Sequence, residues 1–112
     1  MAYLPRHVET RLVSMAKHFR VVLVTGARQV GKTTLLRHLF PRLRHVVFDP
    51  VRDLYGARED PDLFLKNYPP PIILDEIQYA PELLSAIKRY VDEHPKPGQF
   101  LLTGSQNLAM LR

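Results

Sequence analysis

The sequence predicts an α/β fold in which helices cover both faces of a parallel sheet of about four strands. Four short runs rich in Val, Ile, Leu and Phe alternate along the chain with amphipathic helical patterns. This alternation is typical of parallel sheets, because the chain must cross the sheet between one parallel strand and the next. The apolar runs are nearly continuous, which indicates strands buried on both faces. We therefore expect a three-layer α/β/α arrangement.

The elements follow in a simple order. A first helix is predicted after Pro5, where apolar residues recur three and four apart as far as Phe19. Further helices are predicted over residues 32–40, as a short turn after Asp60-Pro61, and over residues 81–91. The expected strands are residues 21–25, 45–49, 71–75 and 99–103. No repeat recurs at a fixed period, which excludes solenoids and propellers.

Length and composition limit the class of protein. The chain has 112 residues, of which 46% are hydrophobic and 24% charged, and this is typical of one globular domain. No run approaches the roughly 18 apolar residues of a membrane span, and the first seven residues lack a signal-peptide core. We therefore expect a cytoplasmic protein without membrane contact. The absence of cysteine excludes disulfides and thiolate chemistry.

The charge is concentrated in the first part of the chain. Residues 1–45 hold nine Lys or Arg and one acid, whereas residues 46–112 hold seven basic and ten acidic residues. A basic half could face nucleic acid, an acidic partner or nucleotide phosphates, and it could also be a solvated surface.

A phosphate-binding loop (P-loop) is predicted at residues 26–34, GARQVGKTT, between a strand pattern and a helix pattern. Its two glycines let backbone N–H groups converge on phosphate oxygens, and the following helix start favours anions. Lys32 can reach the β- and γ-phosphates, and Thr33 can ligate Mg²⁺. The predicted nucleotide-binding residues are Gly26, Ala27, Arg28, Gln29, Val30, Gly31, Lys32, Thr33 and Thr34. The alternative is a glycine turn with a solvated lysine.

Two adjacent carboxylates end the apolar run at residues 72–74, in the position called Walker B in P-loop folds. Asp75 would hold Mg²⁺ through a water molecule, together with Thr33. Glu76 would orient and polarise the attacking water. The alternative is a buried strand that ends in a solvated turn.

A third polar group ends the last apolar run, in LLTGSQN at residues 101–107. A hydroxyl or amide there could bond the attacking water or the γ-phosphate. Ser105 is the first candidate and Asn107 the second, and Ser105 could equally cap a following helix.

The remaining polar residues have simpler interpretations. Asp49 either orients the phosphate loop or caps residues 51–54. The histidines are scattered without metal-ligand spacing, and we expect them to be solvated: His7, His18, His38, His45 and His94.

Together these motifs resemble the AAA+ domain of a family of prokaryotic ATPases whose full-length members carry a C-terminal domain of unknown function. The resemblance covers nearly the whole chain and rests on GARQVGKTT at 26–34, FDP at 48–50, ILDEIQ at 73–78 and LTGS at 102–105. It implies binding of Mg²⁺ and ATP, ATP hydrolysis, a sensor 1 role for Ser105 or Asn107, and strand order five, one, four, three, two. The absence of an Asn-Lys-x-Asp guanine signature favours ATP over GTP.

The chain departs from the family pattern at its end, Arg112, where a fifth strand, a helical lid and two functional arginines would follow. We therefore expect a truncated N-terminal fragment forming one domain over residues 1–112, with a helix within residues 1–20 and a P-loop core over 21–112. The expected strand order is 1-4-3-2, which leaves the first strand as an exposed edge. A complete domain would be an ATPase, whereas the isolated chain should be slow or inactive.

Two other functions remain open at this point. The chain could be a nucleotide-binding fragment that does not hydrolyse ATP and acts by association with full-length relatives, with other copies of itself or with other partners. It could also be a basic nucleic-acid-binding module.

Overall fold

A computed structural model describes residues 6–25 and 31–104 of the chain. Within these residues the elements alternate between helix and strand, with one 3₁₀ turn at Ile77–Tyr79. In chain order they are α1 Arg6–His18, β1 Val21–Thr25, α2 Lys32–Leu39, β2 Arg44–Val47, α3 Pro61–Asn67, β3 Ile72–Asp75, α4 Glu82–Glu93 and β4 Phe100–Gly104.

The four described strands form one parallel sheet in the order β1-β4-β3-β2. This confirms the predicted fold class and strand order. In register, Leu23 pairs with Leu102, Leu102 with Leu74, and Leu74 with Val46. Because all strands are parallel, their carboxyl ends meet at one edge of the sheet, where α/β proteins bind ligands.

The hydrophobic core lies on both faces of the sheet. On one face α3 and α4 bury side chains that include Phe64 and Leu83 against Leu74 and Phe100. On the other face α1 and α2 bury Leu12, Leu35 and Leu36 against Val22, Ile73 and Leu101. Successive strand residues thus contact opposite helical layers, which explains why β3 and β4 are apolar without alternation.

Element ends differ from the sequence prediction where side chains bond to the backbone. β2 ends at Val47 rather than at Asp49, because the Asp49 carboxylate accepts hydrogen bonds from two following amides and turns the chain. The expected turn after Asp60-Pro61 is a helix of seven residues. The Asp60 side chain caps it by accepting from the Leu63 amide at 3.1 Å.

Within the described residues, β1 and β2 are the edges of the sheet. Leu23 of β1 and Val47 of β2 are 37% and 43% exposed, whereas all four residues of β3 are buried. None of the helices in these segments is long and apolar enough to cross a membrane.

Candidate functional site

A polar cluster lies at the carboxyl ends of β3 and β4, on the face of the sheet that α1 and α2 cover. Ile73 and Leu101 contact those helices. Side chains two residues apart on a strand point to the same face, so Asp75 and Thr103 follow them on it. Asp75 is 5% exposed and Thr103 is fully buried. A buried carboxylate therefore lies where the strands end.

The Asp75 carboxylate is held by donors from three elements. The Thr33 hydroxyl, in the first turn of α2, donates to Oδ2 at 2.6 Å. The Thr103 hydroxyl of β4 donates a short bond to Oδ1. His45 of β2 places Nε2 3.3 Å from Oδ2. A buried carboxylate requires such donors, because an unpaired charge in the interior is costly.

Lys32 extends from the start of α2 to the ends of β1 and β4. Gly31 adopts φ 69° and ψ 35°, a left-handed conformation that glycine adopts at little cost, and α2 begins at the next residue. The buried Lys32 ammonium donates to the Gly104 carbonyl at 2.7 Å. Gly104 pairs with Thr25, the residue that precedes the predicted phosphate loop. The ammonium thus lies beside the place where the sequence predicts phosphates.

The Glu76 carboxylate has a different partner from those of the Asp75 carboxylate. The backbone of Glu76 is left-handed, with φ 63° and ψ 50°, which is uncommon for a residue other than glycine and costs about 1–3 kcal/mol. Its amide donates to the Thr103 hydroxyl at 2.9 Å, and its carboxylate accepts from the Gln78 amide group at 2.8 Å. The two carboxylates therefore have different partners, as their different predicted roles require, whereas the Thr103 hydroxyl contacts both the Asp75 carboxylate and the Glu76 amide.

The chemistry of Thr33 and Asp75 fits Mg²⁺. Hydroxyl and carboxylate oxygens are the ligands that Mg²⁺ prefers, usually as one or two protein groups completed by water and phosphate. Because the Thr33 hydroxyl donates its hydrogen to Asp75, its lone pairs remain available to a cation. In the described segments no group of three or more His, Cys, Asp or Glu could hold a metal alone.

The structure describes part of the predicted site. Gly31, Lys32, Thr33 and the exposed Thr34 lie at the start of α2. Lys32 and Thr33 have the contacts given above, and Gly31 has the left-handed backbone that precedes the helix. The other predicted residues lie outside the described residues: Gly26, Ala27, Arg28, Gln29, Val30, Ser105 and Asn107.

Sequence reasoning missed two members of the cluster. The sequence favours Ser105 at the end of this strand, whereas the structure shows that the Thr103 hydroxyl contacts both Asp75 and the Glu76 amide. His45 was expected to be solvated, whereas its ring is 18% exposed and contacts Asp75. Both residues are polar and lie in strands on the buried side of the sheet. That position indicates a role in the site only once the strand register is known.

Asp49 caps the turn that follows β2. Its Oδ2 accepts from the Val51 and Arg52 amides at 2.8 and 2.7 Å. These bonds, the one from Arg52 foremost, hold the pKa of the Asp49 carboxyl below its ordinary value. The structure thus agrees with the capping interpretation of this residue.

Comparison with protein families shows which family the sequence of this chain matches. The model of a family described as an AAA domain matches residues 18–112, which include the phosphate-loop sequence, Asp75, Glu76 and Thr103. The parallel sheet of order 1-4-3-2 is that of a P-loop nucleotide-binding fold.

Two mycobacterial proteins are similar to the chain over most of its length. The uncharacterized proteins Rv2008c of Mycobacterium tuberculosis and Mb2031c of Mycobacterium bovis are each 36% identical to it over 101 residues. The match covers 89% of this chain and 23% of each relative. The chain therefore spans about a quarter of the length of these relatives. No solved structure matches the chain with significance.

Proposed function

This chain belongs to the AAA domain family, and we propose on that basis that it binds ATP together with Mg²⁺ as one nucleotide-binding domain. We propose further that the longer proteins in which such domains occur hydrolyse the ATP. Membership of the family supports a nucleotide-binding, ATPase-like function. The side chains at the carboxyl edge of the sheet support Mg²⁺ as the cation. They also support Glu76 as the group that acts on the attacking water.

One observation carries this proposal, the 2.6 Å hydrogen bond between Thr33 and Asp75. The two residues are separated by 42 positions and belong to two motifs that were inferred independently. A phosphate loop and a metal-binding carboxylate function together only if they meet at the same strand ends. The contact places the loop's hydroxyl against the carboxylate that would share its cation.

The described side chains would bind different parts of the nucleotide and its cation. The Lys32 ammonium donates to the Gly104 carbonyl and would also contact phosphate oxygens of a bound nucleotide. Thr33 would contact the cation directly and Asp75 through water. Mg²⁺, when bound, neutralises charge on the phosphate oxygens. The main-chain amides of the phosphate loop would complete the anion site.

Glu76 would act on the water that attacks the γ-phosphorus. It orients that water and accepts its proton while the bond from the γ-phosphorus to the β–γ bridging oxygen breaks. ADP keeps the bridging oxygen, and the products are ADP and inorganic phosphate. The Gln78 amide group donates to the Glu76 carboxylate and restricts its orientation. An arginine supplied by a neighbouring subunit accelerates related reactions by roughly 10³–10⁵, so we expect slow turnover from the chain alone.

The test separates binding from turnover. ATP binding would be measured with a fluorescent ATP analogue, and turnover by release of inorganic phosphate, for the parent, Glu76→Gln and the control Glu93→Gln. Glu93 is exposed at the end of α4. We expect Glu76→Gln to bind like the parent and to release phosphate at least tenfold more slowly.

Each result has a defined meaning. Absence of Mg²⁺-dependent ATP binding by the parent contradicts the proposal as a whole. Binding with equal turnover in the parent and Glu76→Gln contradicts only the role of Glu76. Binding without measurable turnover in any variant favours a nucleotide-binding domain that does not hydrolyse ATP by itself.

A further inference from the structure

The position of His45 in β2 places its side chain on the same face of the sheet as Asp75. In register, Val46 pairs with Leu74 and His45 with Ile73. Val46 and Leu74 belong to the core on the α3 and α4 face, so His45 lies on the opposite face with Ile73. Asp75 follows Ile73 on that face. The sheet itself therefore brings the histidine beside the carboxylate.

His45 contacts the oxygen of Asp75 that also accepts the Thr33 hydrogen bond. Its Nε2 lies 3.3 Å from Oδ2, whereas the Thr33 hydroxyl oxygen lies 2.6 Å away. A carboxylate accepts hydrogen bonds and does not donate them, so this contact requires a hydrogen on Nε2. The Asp75 side chain is 7% exposed, which limits access of water as an alternative donor.

The number of restraints decides how well the carboxylate is oriented. Rotation about the terminal bond of an aspartate is soft, so one hydrogen bond does not define the plane of the group. Thr103 holds Oδ1, and Thr33 and His45 hold Oδ2. Thr33 must also serve a cation in the proposed function. His45 contributes a restraint on Oδ2 that comes from neither the phosphate loop nor the cation.

We infer that His45 is a positioning residue for Asp75, which fixes the carboxylate plane and thereby strengthens the binding of Mg²⁺ together with ATP. The inference rests on the proposed function. Groups that orient metal-binding residues in this way typically contribute 10- to 100-fold to metal affinity. The ring does not ligate the cation, because Mg²⁺ prefers oxygen ligands.

The surroundings of His45 allow this role to be tested by substitution. Its ring also lines a surface cleft beside α2, together with Thr33, Arg37, His38 and Leu43. Replacement side chains of similar size can therefore be accommodated without overpacking the core. His45→Leu fills the space without a donor, and His45→Gln retains an N–H donor at a similar distance from the backbone.

The experiment measures the ATP dissociation constant of the parent, His45→Leu and His45→Gln, once with excess Mg²⁺ and once with EDTA. The ratio of the two constants reports the coupling between cation and nucleotide. We expect His45→Leu to reduce this ratio 10- to 100-fold with an unchanged constant in EDTA. His45→Gln should restore most of the ratio. A cooperative thermal transition checks that each variant is folded.

The outcomes distinguish this inference from the proposed function. If the parent shows coupling and His45→Leu shows the same coupling, the inference is wrong and the proposed function stands. If both variants lose ATP affinity equally in EDTA, His45 is structural and the inference is wrong. If the parent itself shows no coupling, both fail. If His45→Leu does not fold, His45→Asn is compared with His45→Gln instead. The asparagine side chain is shorter, so its N–H donor lies farther from Asp75.

Discussion

The Thr33 hydroxyl and the Asp75 carboxylate are joined by a 2.6 Å hydrogen bond that connects the first turn of α2 to the end of β3. Because Asp75 also accepts from Thr103, the contact ties a helix and two strands together at one edge of the sheet. This buried cluster has both a structural and a proposed binding role. Substitutions in this cluster are therefore tested separately for their effect on stability and for their effect on nucleotide binding.

Thr33→Val should remove the Mg²⁺ dependence of ATP binding. Valine keeps the shape of threonine but has no oxygen for a cation, while the Lys32 ammonium and the backbone amides remain. With one ligand of the cation lost, we expect ATP affinity in Mg²⁺ to fall roughly 10- to 100-fold, which corresponds to about 1.4–2.7 kcal/mol. Measured by isothermal titration calorimetry in EDTA, the ATP affinity of Thr33→Val should stay within a factor of about three of the parent's affinity.

The matched control is Thr10→Val, a substitution at an exposed position of α1. It should bind ATP like the parent under both conditions. If Thr33→Val keeps full Mg²⁺ dependence, Thr33 is not a cation ligand.

Thr103→Val should destabilise the fold. The Thr103 hydroxyl is fully buried, donates to Asp75 and accepts from the Glu76 amide. Valine leaves both groups without this partner, at a cost of about 1–3 kcal/mol. Urea unfolding with an unchanged m-value measures the loss, and Thr103→Ser, which keeps the hydroxyl, should be closer to the parent. A valine variant as stable as the parent would show that the two hydrogen bonds of the Thr103 hydroxyl contribute nothing to stability.

Alanine at Gly98 should cost more stability than alanine at Gly56. Both glycines have positive φ, 70° and 71°, so each substitution carries similar backbone strain of about 1–2 kcal/mol. A Cβ at Gly98 would lie 2.8 Å from the Ala16 carbonyl oxygen, whereas a Cβ at Gly56 meets nothing within 4 Å. The difference in free energy of unfolding isolates that clash. Equal losses would mean that the turn at Gly98 moves away from α1 without cost.

The turn at Asp49 should weaken in acid. Hydrogen bonds from the Arg52 and Val51 amides lower the pKa of the Asp49 carboxyl below its ordinary 3.8. A lowered pKa means that the contribution to stability is complete above about pH 4 and is lost as pH falls through the folded-state pKa. The amide proton shifts of Arg52 and Val51 should therefore titrate below about pH 4. In Asp49→Asn these shifts should not titrate there; equal titration in both chains would assign the effect to another group.

Much of the fold was predictable because its signals are local. The continuous apolar runs at residues 21–25 and 72–74 indicated strands buried on both faces, and β1 and β3 lie there. The strand order followed from the family resemblance and is confirmed. The ends of β2 and α3 were less accurate, because the side chains of Asp49 and Asp60 determine them through bonds to nearby amides.

The candidate site was predictable only in part. Lys32, Thr33, Asp75 and Glu76 stand in motifs whose residue spacing is informative by itself. His45 joins Asp75 through the register of β2 against β3, and register is a property of the folded sheet that no short pattern contains. The roles predicted for Ser105 and Asn107 concern residues beyond those that the structure describes, and they remain predictions.

Thermal unfolding of the chain with and without Mg²⁺ and ATP tests the central claim most directly. Ligand at 100 times its dissociation constant adds about 2.7 kcal/mol, which should raise the midpoint by roughly ten degrees for a domain of this size. We expect this shift in the parent and in Lys88→Ala, an exposed lysine of α4, and its loss in Lys32→Ala. An unshifted parent, or an equal shift in Lys32→Ala, would contradict ATP binding through this site.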